Sequence, residues 1–426
     1  MNYTEETFQL FSKHVNPSMA ASLRLAGLDV VEDHAEGAFI WDSDGRRYLD
    51  FLGLYGTMSV GHRHPRVVEA VRRQLDRMAM PAKVMLSRPA AELAERLTSL
   101  APGNMQYAFF GNSGAEAVEG AIKIARAATG RHKIVSAFNA FHGKTMGALA
   151  LTPKPEYQTP FLPMLTGVAH VPFGDLAALD AVCDADTAAL ILEPVQGEGG
   201  VIIPPPGYLR AARQLTSERG VLLIADEVQT GLGRTGKWFA VQHDDIEPDM
   251  MTLAKALGGG IMPIGAFLAR KELWKPFEQD YKVHSSTFGG NPLACSAGLA
   301  TLQVIEDEGL VLRSAELGAS MLASLQRLQA QFPYFITQVR GLGLMIGIEF
   351  VSADVGTLFI SEMSKQGVLT AFGLNQPKMI RIEPPLNLTD DEAQLGLEAI
   401  ETSLVGVKTE LEHFGLLSNG VLAVSD

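Results

Sequence analysis

The chain has 426 residues, which is more than one ordinary hydrophobic core accommodates, so we expect a large domain with a smaller partner. Apolar residues make up 47% and charged residues 19%, a globular balance that argues against disorder. The formal charge of −13 argues against a surface built for nucleic-acid phosphates, and no polybasic run indicates an anionic membrane.

Targeting signals and metal motifs are not evident in the sequence. Residues 1–14 lack the apolar core of a signal peptide, and no stretch approaches the roughly 18 consecutive apolar residues of a membrane span. Cys183 and Cys295 are far apart and form no CxxC pair, so neither a disulfide framework nor a zinc site is indicated. We therefore expect a cytoplasmic protein with two buried thiols and no metal.

Residues 1–60 are predicted to form an N-terminal segment that contributes to the smaller domain. The stretch 37–51 has the pattern of a hairpin with Asp44-Gly45 as its turn.

Residues 61–300 alternate helical periodicity with short apolar runs, which predicts a large α/β domain. The first helix is expected at 65–78. The predicted strands are 107–110, 133–138, 188–194, 221–228 and 250–254. Strand followed by helix, repeated, indicates a three-layer α/β/α arrangement around a mainly parallel sheet.

Residues 301–426 are predicted to form a smaller α+β domain. A long amphipathic helical stretch covers 306–332. Strands are expected at 345–351 and within 378–385, and a helix is expected from Asp390.

The segment that follows the first predicted strand has the pattern of a helix start that binds phosphate. Ser113 and Glu116 match the S-x-x-E capping box, and Gly114 lets the backbone approach a ligand closely. Free N–H groups and the positive end of the helix dipole favour an anion there. By itself the segment is also consistent with a well-capped structural helix.

Two further strand ends carry chemically useful side chains. Asp226 and Glu227 end one apolar strand, and ligands of parallel sheets lie beyond such carboxyl ends. Lys255 follows another apolar run and precedes three glycines. Lowering a lysine pKa from ~10.4 to near 7 requires about 4–5 kcal/mol, which an apolar strand end can supply. Separately, the carboxylates could be turn caps and the lysine a surface residue.

Two nucleotide-like motifs do not meet the requirements of their binding sites. The GKT of FHGKTMG lacks the glycine of a P-loop, because Phe138 stands at that position. GLGRTG at 231–236 matches G-x-G-x-x-G, but Lys237 and Trp238 follow where a helix with small residues should open.

Taken together, the helix start, the strand-end carboxylate and the lysine match one cofactor. Pyridoxal 5′-phosphate (PLP) presents a phosphate, a pyridine nitrogen and an aldehyde, one for each of these groups. The lysine lies 29 residues after Asp226, at the next strand end.

The chain resembles the class III aminotransferases of PLP fold type I from about Gly37 to its C-terminal region. The similar blocks include NSGAEAVEGAIKIAR, AFHGKTMGAL, ILEPVQGEGGVIIPPPGYL, LIADEVQTGLGRTGKWFA, PDMMTLAKALGGGIMPIGA, STFGGNPLAC and IRIEPPL. Within the class, these sequence blocks are most similar to those of putrescine (diamine) aminotransferases. The resemblance implies a homodimer with shared active sites, with a tetramer as the alternative assembly.

The resemblance assigns cofactor contacts to ten positions. Lys255 would hold PLP as a Schiff base, and Asp226 would pair with the pyridine nitrogen. The other positions are those that surround the phosphate and the ring: Ser113, Gly114, Ala115, Phe141, His142, Val228, Gln229 and Thr287. The backbone N–H groups of Gly114 and Ala115 would bind the phosphate, with Ser113 beside them, and Thr287 would reach the phosphate of the neighbouring subunit. Phe141 and Val228 would cover the two ring faces, and Gln229 would lie near the ring hydroxyl.

Substrate contacts are implied for three further residues. Arg381 would bind the α-carboxylate of a 2-oxo acid, and Glu198 would neutralise Arg381 when no carboxylate is present; a permanent structural ion pair is the alternative. Tyr55 belongs to the segment 53–62, which is expected to line the substrate entrance and differs from the diamine enzymes. Ala115 stands where many relatives have threonine, so a hydroxyl contact to the phosphate is lost there.

The implied activity is transfer of an amino group from a terminal amine, such as putrescine, to a 2-oxo acid, with 2-oxoglutarate as the expected acceptor. Acetylornithine or ornithine donors and a natural-product aldehyde are alternative substrates. A decarboxylase, a racemase, an aminomutase or a non-enzymatic binding protein could share the same cofactor contacts.

Overall fold

The computed structural model describes residues 3–418 and 421–422, and a seven-stranded sheet forms its centre. The fold is of the α/β class, as predicted. Its main sheet is mainly parallel, and smaller sheets lie beside it. None of the helices in the described part of the chain is long and apolar enough to cross a membrane.

The N-terminal region contains two helices, three antiparallel strands and a one-turn segment. Its elements are α1 (Tyr3–His14), α2 (Pro17–Leu25), β1 (Glu32–Glu36), β2 (Phe39–Asp42), β3 (Arg47–Asp50) and α3 (Gly53–Gly56). The predicted hairpin is confirmed, since β2 and β3 pair in antiparallel fashion around a turn in which Gly45 has a φ of 83°.

The middle region supplies the main sheet and its covering helices. Its elements are α4 (Pro65–Leu75), α5 (Arg88–Leu100), β4 (Met105–Gly111), α6 (Gly114–Thr129), β5 (Lys133–Ala137), α7 (Met146–Ala150), α8 (Pro155–Gln158), β6 (Val168–Val171), α9 (Leu176–Val182), β7 (Thr187–Leu192), α10 (Tyr208–Glu218), β8 (Leu222–Asp226), β9 (Met250–Leu253), β10 (Gly265–Arg270), α11 (Lys275–Gln279) and α12 (Pro292–Asp307). All five predicted strands and the predicted helix α4 are present. The sequence analysis missed β6 and β10.

The strand order of the main sheet is β4-β10-β9-β8-β7-β5-β6. The pairs β5–β6, β5–β7, β7–β8 and β8–β9 are parallel, whereas β10 is antiparallel to both of its neighbours. Every residue of β7 and β9 is buried, because helices cover both faces of the sheet. The carboxyl ends of β4, β5, β7, β8 and β9 therefore meet at one edge of the sheet.

The C-terminal region contains an antiparallel sheet flanked by helices. Its elements are α13 (Leu310–Gln331), β11 (Ile336–Leu342), β12 (Met345–Phe350), α14 (Ala353–Lys365), β13 (Val368–Leu369), β14 (Ala371–Phe372), β15 (Met379–Ile382), α15 (Asp390–His413), β16 (Leu417–Ser418) and β17 (Val421–Leu422). The strand order is β11-β12-β15-β14. The predicted strands β12 and β15 and the helix from Asp390 are confirmed.

The long helical stretch predicted at 306–332 is divided in the structure. Helix α12 ends at Asp307 and α13 begins at Leu310, because Gly309 adopts a left-handed φ of 63° that a continuous helix cannot include.

The N-terminal hairpin joins the C-terminal region through one strand pair, since β13 pairs in parallel with β3 in a sheet ordered β1-β2-β3-β13. The predicted boundary at residue 300 falls inside α12, and the division at 60 and 300 stays a prediction.

Candidate active site

A cavity of about 510 Å³ lies at the carboxyl edge of the main sheet. Ten of the predicted site residues line it: Ser113, Gly114, Ala115, Phe141, His142, Glu198, Asp226, Val228, Gln229 and Lys255. The remaining three, Tyr55, Arg381 and Thr287, are not part of its lining. The convergence follows from the sheet topology, because each of these loops leaves the carboxyl end of a strand.

Lys255 lies two residues beyond β9, at the start of a 3₁₀ turn formed by Lys255–Gly258. Its φ of 42° is in the left-handed region, which is unusual for a residue with a side chain and is typical of functional sites. Burial lowers the pKa of the Lys255 ammonium, although the charges of Glu198 and Glu383 oppose this shift. The amine is therefore biased towards the neutral form that can attack a carbonyl.

Asp226 and His142 form a buried pair in the wall of the cavity. Asp226 Oδ2 lies 2.6 Å from His142 Nδ1, and its Oδ1 accepts hydrogen bonds from Thr252 Oγ1 at 2.9 Å and from Val228 N at 3.2 Å. Burial alone would lower the pKa of His142, but the hydrogen bond and charge of Asp226, together with Glu193, raise it. A carboxylate with this many donors stays oriented, and the site can hold a cationic ring nitrogen.

The N-terminus of α6 opens onto the cavity. Ser113 caps the helix, its hydroxyl accepting from Glu116 N at 3.2 Å, as predicted. The second half of the predicted capping box is wrong: the Glu116 carboxylate accepts from Asn112 N at 2.8 Å and Asn112 Nδ2 at 2.9 Å. Asn112 offers two donors where Ser113 N would offer one, so the carboxylate bonds one residue earlier.

Gly114 is required by close packing at this helix start. A β-carbon added to Gly114 would lie 2.9 Å from Val228 Cγ1 and 3.1 Å from Val228 Cγ2. Val228 itself lines the cavity, as does Phe141. A side chain at position 114 would therefore push Val228 away from its present position.

Glu198 and Arg381 form an ion pair at the cavity wall. Arg381 Nη1 donates to Glu198 Oε1 at 2.7 Å, and both side chains are buried. Burial raises the pKa of Glu198, but the charges of Arg381 and Lys255 and the hydrogen bonds from Leu374 N and Arg381 together outweigh this effect, so the net shift is downwards. Arg381 lies behind Glu198 and not in the cavity lining, and the Tyr55 ring lies 4.9 Å from its guanidinium carbon.

Tyr55 is held there by a rare backbone conformation. Gly53, Leu54, Tyr55 and Gly56 all have positive φ, of 56°, 47°, 58° and 83°. A left-handed turn that includes two non-glycine residues is strained and persists only where its surroundings fix it. One such restraint is Gln229 Nε2, which donates to Tyr55 O at 3.2 Å.

Two buried carboxylates near the site were missed in the sequence analysis. Glu193 follows β7 and lines the cavity; it accepts from Phe141 N at 2.9 Å and Gly197 N at 3.1 Å, and burial raises its pKa to about 7. The strand-end rule that selected Asp226 applies equally to Glu193. Glu383 lies 3.9 Å from Arg381 Nη1 and had no comparable signal in the sequence.

Thr287 is exposed and lies outside the cavity of its own chain. Its neighbourhood is tied to another exposed segment, because Lys83 Nζ donates to Gly289 O. Val84, Met85 and Leu86 follow Lys83 and are 86%, 78% and 104% exposed.

The polar groups around the cavity match those of PLP in type and arrangement. An amine with a lowered pKa, a buried carboxylate and a helix N-terminus face one space, with apolar side chains on its walls. The Nε2 atom of His142 is buried and has no hydrogen-bond partner among the described residues, so one ring donor or acceptor is unused. Within the described part of the chain, no group of three metal-ligating side chains is arranged to hold a metal ion.

Comparison with known proteins agrees with this geometry. The family model for class-III aminotransferases matches residues 24–404. The ornithine aminotransferase of Toxoplasma gondii ME49 is 32% identical, with 96% of this chain and 97% of that chain covered and a TM-score of 0.90. An acetylornithine aminotransferase from Elizabethkingia anophelis is 33% identical, with 95% and 100% covered and a TM-score of 0.81. An (S)-enantioselective omega-transaminase from Thermomicrobium roseum is 32% identical, with 96% and 99% covered and a TM-score of 0.88.

The family match covers most of the chain, and the cavity contains the groups that its cofactor requires. The chain belongs to the class III aminotransferases, which are PLP-dependent enzymes.

Proposed function

We propose that this enzyme moves an amino group from a terminal amine or diamine, such as putrescine, to a 2-oxo acid, with 2-oxoglutarate as the acceptor. The observation that carries the proposal is the buried Glu198–Arg381 pair, 2.7 Å apart. A donor without a carboxylate needs Arg381 neutralised, whereas a 2-oxo acid needs it free. A carboxylate that can leave the guanidinium serves both substrates in one site.

The cofactor contacts belong to the same proposal. Lys255 would bond to the PLP aldehyde, Asp226 would pair with the pyridine nitrogen, and His142 would hold Asp226 in place. The N–H groups at the start of α6, with Ser113 beside them, would bind the phosphate.

The ring would lie between apolar walls. Phe141 and Val228 line the cavity and would cover its two faces. Gln229, whose amide also bonds to Tyr55 O, would lie near the ring hydroxyl.

PLP when bound supplies an aldehyde that condenses with amines and a ring that accepts electrons. Lys255 Nζ would take the proton from the substrate carbon next to nitrogen and deliver it to the cofactor's C4′ carbon. Its lowered pKa supports this role, since a neutral amine can accept a proton. Asp226 would keep the ring nitrogen protonated throughout, because a buried carboxylate stabilises the adjacent cation.

A homodimer with shared sites is also proposed. The exposed apolar run Val84–Leu86 and the exposed Thr287 support it, since single chains rarely expose consecutive large apolar residues. Thr287 would reach the phosphate in the partner's site. A cytoplasmic location is supported by Cys183 and Cys295, which are buried and unpaired.

Ornithine and acetylornithine are the alternative donors, as two of the similar structures bear these names. The similarity to an omega-transaminase supports an amine donor that has no α-carboxylate. It is also consistent with the alternative in which the amino group is transferred to a larger aldehyde.

The test is a profile of donor half-reactions with the purified PLP form. Putrescine, ornithine, acetylornithine and simple amines are each added alone, and conversion of the cofactor to its amine form is followed by absorbance. We expect putrescine to react with a higher kcat/KM than either amino acid. A preference for ornithine or acetylornithine would overturn the diamine assignment, and no conversion with any donor would overturn the transaminase assignment.

A further inference from the structure

The backbone of Leu374 lies between Glu198 and two side chains outside the cavity lining, Lys154 and Tyr157. Leu374 N donates to Glu198 Oε2 at 2.9 Å. On the other side of the same residue, Leu374 O accepts from Lys154 Nζ at 2.8 Å and from Tyr157 Oη at 2.9 Å. Lys154 and Tyr157 therefore hold the carbonyl of the same residue whose N–H holds Glu198.

Leu374 belongs to the short segment 373–378 between β14 and β15. Asn375 fixes this segment to the large domain, since its Nδ2 donates to Asn139 O at 3.0 Å and Ala140 O at 3.1 Å. Asn375 N donates to Glu198 O at 3.1 Å. The segment is thus anchored whichever position the Glu198 side chain adopts.

Glu198 is consequently held at both of its oxygens. Oε1 accepts from Arg381, and Oε2 accepts from Leu374 N. In the open state the Glu198 side chain has left Arg381, and to reach it the side chain must break both hydrogen bonds. The Leu374 N–H therefore opposes opening, as the Arg381 guanidinium does.

Lys154 and Tyr157 strengthen that opposition. A cation and a hydroxyl on the Leu374 carbonyl fix the orientation of this residue, and with it the direction of the Leu374 N–H that holds Glu198. Burial and the charge of Glu198 raise the pKa of Tyr157, so its hydroxyl stays protonated and can donate.

We propose that Lys154 and Tyr157 are positioning residues that set the balance between the paired and open states of Glu198. They touch no reacting atom. By stabilising the paired state they favour a donor without a carboxylate and weaken binding of carboxylates at Arg381. This inference rests on the proposed switch of Glu198.

The size of the effect follows from population shift. A ligand that needs the open state binds with an affinity reduced by the open fraction. The Leu374 N–Glu198 hydrogen bond exists only in the paired state, and it weakens when Leu374 loses the side chains that orient it. The open fraction should therefore rise roughly threefold when one of these side chains is removed and roughly tenfold when both are, since a tenfold change corresponds to about 1.4 kcal/mol, the order of one whole hydrogen bond.

The variants are Tyr157→Phe, Lys154→Met and their combination. Lys144→Met is the matched control, because Lys144 Nζ lies 4.0 Å from the Tyr157 ring centre and is not among the donors to Leu374 O. Lys154→Arg keeps a cationic donor and should behave like the unmodified enzyme.

The first measurement is calorimetric binding of glutarate to the PLP form. Glutarate has two carboxylates and no reactive carbonyl, so binding is read without turnover. We expect Kd to fall roughly threefold in each single variant and tenfold in the double variant, with Lys144→Met unchanged. An unchanged or increased Kd in the double variant would overturn the proposal.

The second measurement is the pair of half-reactions. The double variant should lower KM for 2-oxoglutarate and slow the amine half-reaction at unchanged thermal stability. Equal losses in both halves would contradict a positioning role. If the unmodified enzyme performs neither half-reaction, the proposed function itself fails. If it performs both but glutarate binds equally well to the double variant, only this inference fails.

Discussion

Glu198 Oε1 lies 2.7 Å from Arg381 Nη1, and the two side chains are 4% and 0% exposed. Removing one partner of such a pair leaves a buried charge whose stabilisation is lost. Glu383 remains 3.9 Å from Arg381 but does not face the cavity, so it cannot fully replace Glu198.

Glu198→Gln should therefore slow the amine half-reaction roughly 10- to 100-fold, the effect of losing one hydrogen bond between charged groups. The half-reaction with the 2-oxo acid should change little, because Arg381 is then bound by substrate. Single-turnover absorbance measures both. Glu227→Gln, a buried carboxylate change away from Arg381, is the control. Equal losses in the two halves would favour a fixed structural pair.

Lys255→Ala should abolish turnover and the covalent attachment of PLP. No other amine in the cavity lining can take its place at the end of β9. Borohydride reduction followed by peptide mapping should find the pyridoxyl group on residue 255 of the unmodified enzyme and nowhere in the variant. Lys237→Ala should keep both properties. A reduced adduct on another lysine in the variant would show the assignment to be wrong.

Gly114→Ala should weaken PLP binding about tenfold, because the added methyl would lie 2.9 Å from Val228 Cγ1 and force it out of place. Thermal stability should change by less than about 1 kcal/mol, since alanine favours the helix. The affinity is measured by fluorescence titration of the cofactor-free protein. The double variant with Val228→Ala should bind no more weakly than Val228→Ala alone, and additive losses would speak against the crowding explanation.

Glu227 gives a prediction for pH dependence. It accepts from Val241 N at 2.8 Å and from Thr230 Oγ1, and burial raises its pKa from 4.5 to about 7. A carboxyl whose folded pKa is raised stabilises the fold below its unfolded pKa, and this contribution is lost as pH rises through the folded pKa.

The unfolding free energy of the unmodified protein, measured against Glu227→Gln, should thus fall by about 3 kcal/mol between pH 4.5 and pH 8. Urea unfolding of the cofactor-free forms at several pH values measures it. If the unfolding free energies of the two proteins changed with pH in parallel, the raised pKa of Glu227 would be contradicted.

Leu86→Glu should disrupt the proposed homodimer. Leu86 is fully exposed in the single chain and follows Val84 and Met85 in one apolar run. A charge placed in a buried interface costs several kcal/mol, so sedimentation should show monomer at micromolar concentration, together with lost activity. Leu395→Glu, at an apolar position that is 45% exposed on α15, is the control. A dimeric Leu86→Glu would place the interface elsewhere.

Several elements could be predicted because their signals are local. The strand cores of β7, β8 and β9 are continuous apolar runs, and the Ser113 cap and the Asp44-Gly45 turn depend on neighbouring residues alone. The missed strand β10 has neighbours that are antiparallel to it, so it breaks the strand–helix alternation on which the prediction relied.

Thr389 shows the same locality in the C-terminal region, since its hydroxyl accepts from Glu392 N, and the Glu392 carboxylate accepts from Thr389 N. By contrast, the Glu116 carboxylate accepts from Asn112 and not from Ser113 N. This choice depends on side-chain reach and not on sequence spacing.

The sequence by itself determined the α/β class, the strand ends that carry Asp226 and Lys255, and the helix start at Ser113, because each is encoded within a few consecutive residues. Only the tertiary structure decided that Glu198 binds the Leu374 peptide as well as Arg381, and that four positive-φ residues hold Tyr55 beside that guanidinium. Such contacts join residues more than 150 positions apart, and their geometry depends on how the sheets pack.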